Sequence, residues 1–175
     1  MADTPIVRTY LEMRSRQQLQ GAPLASDARV ERVRDCPLSF FRYLYREVGR
    51  DYSWRDRLGW TDEQCRTHMS DPAISLFVLY VAGAPAGYFE LNARERGAIE
   101  IAYFGLLPHA VGRKLGTQLL TAATEAAWSL PGTSRVWLHT CTLDHPAALP
   151  NYLARGFVPY KKETLPPYPP ATAPA

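Results

Sequence analysis

Cysteine is scarce in this chain of 175 residues: Cys36, Cys65 and Cys141 lie far apart, with no CxxC pair and no histidine at metal-ligand spacing. That excludes a disulfide framework and gives no metal centre a ligand set. No apolar run reaches the roughly 20 residues that a membrane-spanning helix requires. The opening MADTPIVRTY also lacks the apolar core of a signal peptide, so the cytoplasm is the expected compartment and a membrane is not an expected partner. Charge of one sign is not gathered into blocks. The net charge is +3 with Lys and Arg dispersed, which argues against nucleic acid as a partner. The common nucleotide loops are missing too. GxxxxGK[ST] fails because Thr117 and Gln118 follow Gly116, and no GxGxxG with a downstream ribose-binding acid can be drawn. ATP and NAD are therefore not the expected cofactors.

What is present reads as one folded unit. With 46% hydrophobic and 21% charged residues, the chain can bury a core, and residues 1–163 are expected to form a single domain. Residues 164–175 (TLPPYPPATAPA) are Pro-rich, and an extended or disordered tail is expected there. Short strands are predicted over 6–13 and 29–34, joined by a loop containing Gly21, Pro23 and Ser26. A helix follows from Pro37, where Leu38, Phe41, Leu44, Tyr45 and Val48 recur at helical steps. Thr61 with Gln64 three residues on is a helix start, and the helix should stop before Pro72. The apolar run 74–82, then 86–94 and 98–107, form three strands joined by short turns, an antiparallel meander. From Arg113 to about Leu130 the pattern is an amphipathic helix closed by Pro131 and Gly132. A strand over 135–142, a short helix between Asp144 and Arg155 and a last strand over 157–163 complete the order.

The segment Val111 to Gly116 (VGRKLG) joins a strand to the long helix. A helix start presents unpaired N–H groups and partial positive charge, which suits an anion. Gly112 and Gly116 let the backbone approach a phosphate, and Arg113 and Lys114 add cationic charge. An ordinary strand-to-helix turn would explain the same glycines.

EIAYFGLLPHAVGRKLGTQLLTAATEAAW resembles the acetyl-CoA motif of the GNAT superfamily of N-acetyltransferases: a strand, a bulge region near Phe104 to Leu106, then Q/R-x-x-G-x-G/A opening a helix. Downstream, AALPNYLARGFVPY resembles the family's second motif, carried here by Ala148, Tyr152, Gly156 and Phe157. The order of elements over residues 6–163 is similar as well. The resemblance implies an α+β fold, with a central mixed and mostly antiparallel twisted sheet of about six to seven strands and helices on both faces. It also implies acetyl-CoA as acyl donor, no metal, and a primary amine of a small molecule or peptide as acceptor; it allows a homodimer. The cofactor would be held by Phe104, Gly105, Leu106, Val111, Gly112, Arg113, Lys114, Leu115, Gly116, Thr117 and Asp144, with Gly112, Leu115 and Gly116 acting through backbone amides. The match departs from the family at Val111, where Gln or Arg is usual, and at Lys114, where the first Gly of G-x-G is usual. Either Asp144 or His145 stands for the family's Asn, and Pro150, lacking an amide donor, should disturb the short helix.

Acetyl transfer to an amine needs a base for the amine and an acid for the departing thiolate. Glu100 matches an acidic residue that some family members use as base, often through water. A charged residue on a solvated strand face is the other reading, and Glu90 is a second candidate. Strict alternation sets Glu100 on one face with Ala102 and Phe104, opposite Ile99, Ile101 and Tyr103. In a register that places Glu90 directly across from Glu100, each carboxylate would raise the other's pKa. Tyr152 matches the family's general acid, and a backbone N–H near Leu106 would polarise the acetyl carbonyl. Cys141 with His139 or His145 could form a nucleophile–base pair, although a small core residue is the simpler reading of Cys141. Phe40, Phe41, Tyr43, Tyr45, Tyr52, Trp54 and Trp60 suggest an aromatic acceptor cleft able to receive an amine by cation–π contact. The same residues equally suit core packing. A non-catalytic acyl-CoA-binding or sensing module of the same fold is the competing functional reading.

Overall fold

Apolar alternation along the strands decides which side of the sheet each helix covers. In the computed structural model, residues 5–166 are described. The elements run β1 (Ile6–Met13), β2 (Ala28–Val33), α1 (Leu38–Gly49), α2 (Asp62–Ser70), β3 (Ile74–Val81), β4 (Ala84–Glu95), β5 (Ala98–Leu106), α3 (Leu115–Trp128), β6 (Arg135–Cys141), α4 (Ala148–Ala154) and β7 (Val158–Leu165). The periodicities named above therefore become the expected elements, in the expected order.

These strands form a seven-stranded sheet in the order β2-β3-β4-β5-β6-β1-β7. Every pairing is antiparallel except β5 with β6. Local sequence does not dictate the place of β1. The chain's first strand inserts between β6 and β7, with four strands separating it from β2, the next strand in sequence. The segment between β1 and β2 crosses over α3 to span that distance, where the Ala22 N–H donates to Thr121 Oγ1 and the Ala25 N–H to Gln118 Oε1.

One sheet face carries Leu79, Phe89, Leu91, Ile99 and Ile101, which pack with Leu115, Leu119, Leu120, Ala123 and Ala127 of α3. The other carries Leu76, Val78 and Tyr88 against Phe41, Leu44 and Val48 of α1 and Cys65 of α2. Each fully buried leucine contributes about 1.5–3 kcal/mol relative to exposure, so both faces hold their helices firmly. Thr61 caps α2 with the expected capping box, its hydroxyl accepting from the Gln64 N–H while the Gln64 side chain accepts from the Thr61 N–H.

Two expectations are corrected. Strand β7 runs on through Thr164 and Leu165, which the proline content assigned to the tail, because they pair with Val7 and Ile6 of β1. The rest of that tail, residues 167–175, lies outside the described residues. Pro150 does not disturb α4: it falls in the helix's first turn, where an amide donor would lack an intrahelical partner anyway.

Candidate active site

Parallel pairing of β5 with β6 ends at Glu100 opposite Trp137. Beyond that point β5 continues to Leu106 and β6 to Cys141, and the two strands splay apart. A cleft of about 670 Å³ opens there, within the range of small-molecule sites.

One end of the cleft is built by the turn into α3. Val111, Gly112, Lys114, Gly116 and Thr117 line it, together with Phe104, Gly105 and Leu106 of β5 and Asp144 beyond β6. Helix α3 starts with no side chain capping its first N–H groups, and Gly116 and Thr117 of that first turn line the cleft. Gly112 has φ +80 and open space where a Cβ would stand, so the backbone is accessible to a bulky phosphate. Lys114, where the family pattern has Gly, holds the left-handed conformation at φ 60. Two residues named from the sequence bring no side chain to the cleft lining: the Leu115 side chain is buried in the core, its expected role resting on the backbone amide, and Arg113 is exposed and does not line the cleft. Asn151, which the sequence reading missed, ties α4 to the start of α3: its Nδ2 donates to the Gly116 carbonyl and its Oδ1 accepts from Thr117 Oγ1. The Asp144 carboxylate accepts from Thr140 Oγ1 at 2.7 Å and from the Cys141 N–H at 2.8 Å, closing the turn that follows β6.

Tyr152 lines the cleft from α4, 6% exposed, with its ring edge-on to Phe104 at 6.0 Å. Burial first, and then the nearby Asp144 charge, raises its phenol pKa well above the ordinary value, so the hydroxyl is protonated at neutral pH.

The other end of the cleft is set by a β-bulge. Leu91 pairs with Ile101 but Glu90 pairs with Tyr103, so Ala102 is an extra residue on β5. The bulge reverses the expected parity: Tyr103 joins Glu100 on the α1 side, and Phe104 turns to the α3 side. The expected direct pairing of the two carboxylates is overturned separately, by the register at the turn end of the hairpin. Glu100 sits opposite Asn92, whose Nδ2 donates to Glu100 Oε2 at 3.1 Å, and Glu90 lies one same-face position further along β4. Burial raises the Glu100 pKa; the hydrogen bond from Asn92 opposes this, and the Glu90 charge adds to it.

Glu90 does not share the rise expected for a mutual pair. Its carboxylate is 1% exposed, takes both Arg57 nitrogens at 2.7 Å each, and meets His68 Nε2 at 3.0 Å. Burial pushes its pKa up, but the bonds from Arg57 and His68 outweigh that and hold it below the usual carboxylate range. The Arg57 guanidinium lies 4.0 Å from the Tyr103 ring centre and 4.9 Å from that of Trp60, with Phe41 and Tyr45 further out. Much of the aromatic cluster read from the sequence as an acceptor cleft thus surrounds the chain's own cation. Phe40 and Tyr43 stack on each other away from the cleft, and Tyr52 and Trp54 are left to line it. Gly105 makes this packing possible, because a Cβ there would stand 2.4 Å from Val48 Cγ1 of α1.

Cys141 and His139 also line the cleft. Burial raises the Cys141 thiol pKa, the reverse of what a nucleophile needs. His139 packs edge-on to Tyr10 at 5.6 Å, and burial lowers its pKa. His145 Nδ1 accepts from the Ala147 N–H, so that nitrogen is engaged locally. Among the described residues no cluster of metal-ligating side chains occurs, and no helix is long and apolar enough to cross a membrane.

Arg57, His68, Asn92 and Asn151 were not singled out from the sequence. Asn92 was legible in part, being two residues from Glu90 on a predicted strand. The others depend on contacts between distant segments.

Solved structures share this architecture. A GCN5-related N-acetyltransferase from Kribbella flavida is 17% identical, with a TM-score of 0.67 over 93% of this chain and 57% of the other. A tandem GNAT protein from the clavulanic acid biosynthesis pathway is 17% identical, TM-score 0.63, over 93% and 53%. A variant spermidine N-acetyltransferase from Vibrio cholerae is 20% identical, TM-score 0.60, over 77% and 81%. The chain thus spans little more than half the length of the first two. At these identities the likeness establishes the fold alone. No curated protein sequence matches significantly. The sequence profile of the acetyltransferase (GNAT) family, however, matches residues 37–157, which contain the splayed strands, the turn into α3 and Tyr152, and the chain belongs to that family.

Proposed function

We propose that the protein transfers an acetyl group from acetyl-CoA to a primary amine of a small molecule or peptide by direct attack. The observation that carries this reading is a single cleft joining two chemically distinct ends. An uncapped helix start lies at one, and a half-buried carboxylate of raised proton affinity, Glu100, at the other.

The residues present fit the cofactor. The amides opening α3, the accessible backbone at Gly112 and the Lys114 ammonium would hold its phosphates, and the edge of β5 from Phe104 to Leu106 would flank its acyl arm. Bound there, the thioester supplies an activated acetyl group. Glu100 takes the proton of the incoming amine, directly or through water, and Tyr152 gives its proton to the leaving sulfur. Alternate N–H groups along β5 beyond Glu100 lose β6 as a neighbour and are placed to polarise a carbonyl in the opening. The names of related structures, among them aminoglycoside and spermidine N-acetyltransferases, support an amine as the acceptor class.

The experiment is a thermal-shift comparison of acetyl-CoA, CoA, ATP and NAD, followed by an amine screen with the preferred donor. Acetyl-CoA and CoA should stabilise the chain, and ATP and NAD should not. Glu100→Gln should then lower kcat/KM by roughly 10²-fold or more, the usual contribution of a positioned base, and Tyr152→Phe should lower kcat. Cofactor binding without turnover on any amine would point instead to an acyl-CoA sensor. Unchanged turnover in both variants would remove this mechanism.

A further inference from the structure

Buried charge needs a reason, because a buried ion pair is often no more stabilising than apolar residues of the same volume. Arg57 is 7% exposed, Glu90 1% and His68 9%, and acetyl transfer as described uses none of them. Their position supplies the reason. Glu90 and Glu100 lie on the same face of the sheet, on adjacent strands, with Asn92 two residues after Glu90 on β4 and directly opposite Glu100. Two uncompensated carboxylates in one poorly solvated wall would each raise the other's proton affinity and titrate as a coupled pair. Arg57 prevents this with two hydrogen bonds of 2.7 Å. The same residue anchors its loop: its N–H donates to the Tyr45 hydroxyl, its guanidinium rests on Tyr103, and its neighbour Asp56 accepts from the Tyr103 hydroxyl. Trp54 meets Tyr103 edge-on at 5.1 Å in the same loop.

We propose that Arg57 is a positioning residue for acetyl transfer: it holds Glu90 as a permanent compensated anion, which leaves proton exchange to Glu100, and it sets Tyr52, Trp54 and Asp56 as the acceptor wall. This rests on Glu100 being the base. The charged groups that act on Glu100 are Glu90 and Arg94 from β4 and Arg57 from the loop, and the cleft it lines also holds Asp56 from the loop, His68 from α2, Tyr103 from β5, His139 from β6 and Arg8 from β1. Arg94 is tied to Asp71 at 2.8 Å. Arg57 and Glu90 are thus an internally balanced pair, and removing either member alone must move Glu100 in a definite direction.

The test reads the Glu100 proton twice in the full chain: from the acidic limb of kcat/KM against pH, and from a carbon-13 titration of the Glu100 carboxyl assigned with Glu100→Gln. Arg57→Gln removes the cation and should move both midpoints up, and Glu90→Gln removes the anion and should move them down, each by roughly half to one pH unit. The double variant should return near wild type. Arg57→Lys keeps the charge but not the paired hydrogen bonds, so the midpoint should hold while KM rises about tenfold as the loop loosens. Should the single charge removals not fold, Arg57→Lys and the double variant carry the test. A midpoint that moves in those two, or stays fixed in both single variants, overturns the proposal. A carbon-13 midpoint that moves as expected while the kinetic limb ignores Glu100 sustains the electrostatic role and overturns Glu100 as base.

Discussion

Lys114 adopts a left-handed backbone that costs an ordinary residue about 1–2 kcal/mol. It stands at the N-cap of α3, where, in the proposed function, the turn would present the first amides of the helix to the cofactor. Side chain and backbone there can be separated by experiment. Lys114→Gly relieves the strain but adds freedom to the unfolded chain, for a net gain of about 0.5 kcal/mol. Lys114→Ala keeps the strain and should leave stability near wild type. Both remove the ammonium and should weaken CoA binding roughly two- to fivefold, the scale of one exposed charge at a helix terminus. Calorimetric titration with CoA, alongside urea denaturation, would read the two effects apart. Equal CoA affinity in all three proteins would show that the amides alone serve the phosphates.

Elements were more legible than their companions. Helical spacing in Phe41, Leu44, Tyr45 and Val48 and the capping pair Thr61 and Gln64 placed α1 and α2, because those signals are local. Thr61→Ala should therefore cost about 1 kcal/mol, the usual worth of an N-cap, seen as a lowered Tm. CoA affinity should be unchanged, since α2 lies across the sheet from α3. The bulge at Ala102 was not legible, because an extra strand residue is defined by its partner across the ladder and alternation alone cannot register it. It exchanged the faces of Tyr103 and Phe104, while the register that sets Glu100 opposite Asn92 rather than Glu90 is fixed nearer the turn. The insertion of β1 between β6 and β7 was equally hidden, for strand order is a choice among distant partners. Arg57 shows the limit most clearly. Its segment announced aromatic density, but whether the rings awaited an external amine or an internal cation depended on Glu90, which lies 33 positions along the chain.

At the scale of the molecule, the two carboxylates of one sheet face pull stability in opposite directions with pH. Glu90 has its folded pKa depressed, so its contribution is present above the unfolded carboxylate pKa and is lost as pH falls through the lower folded value. Glu100 has its folded pKa raised, so its contribution is complete below the unfolded value and is lost as pH rises through the higher folded one. Above its folded pKa the protein therefore carries an ionised Glu100 at a cost in stability, the strain expected of a base held ready in a poorly solvated site. Glu100→Gln should then be more stable than wild type at pH values above that folded pKa, by on the order of 1 kcal/mol for each unit of pKa elevation. The difference should shrink on acidification and vanish once wild-type Glu100 is protonated in both folded and unfolded states. Thermal denaturation of both proteins from mildly alkaline pH down to about pH 4 would trace it. A constant difference across that range would mean that the substitution acts through packing, and that Glu100 carries no excess proton affinity for catalysis to use.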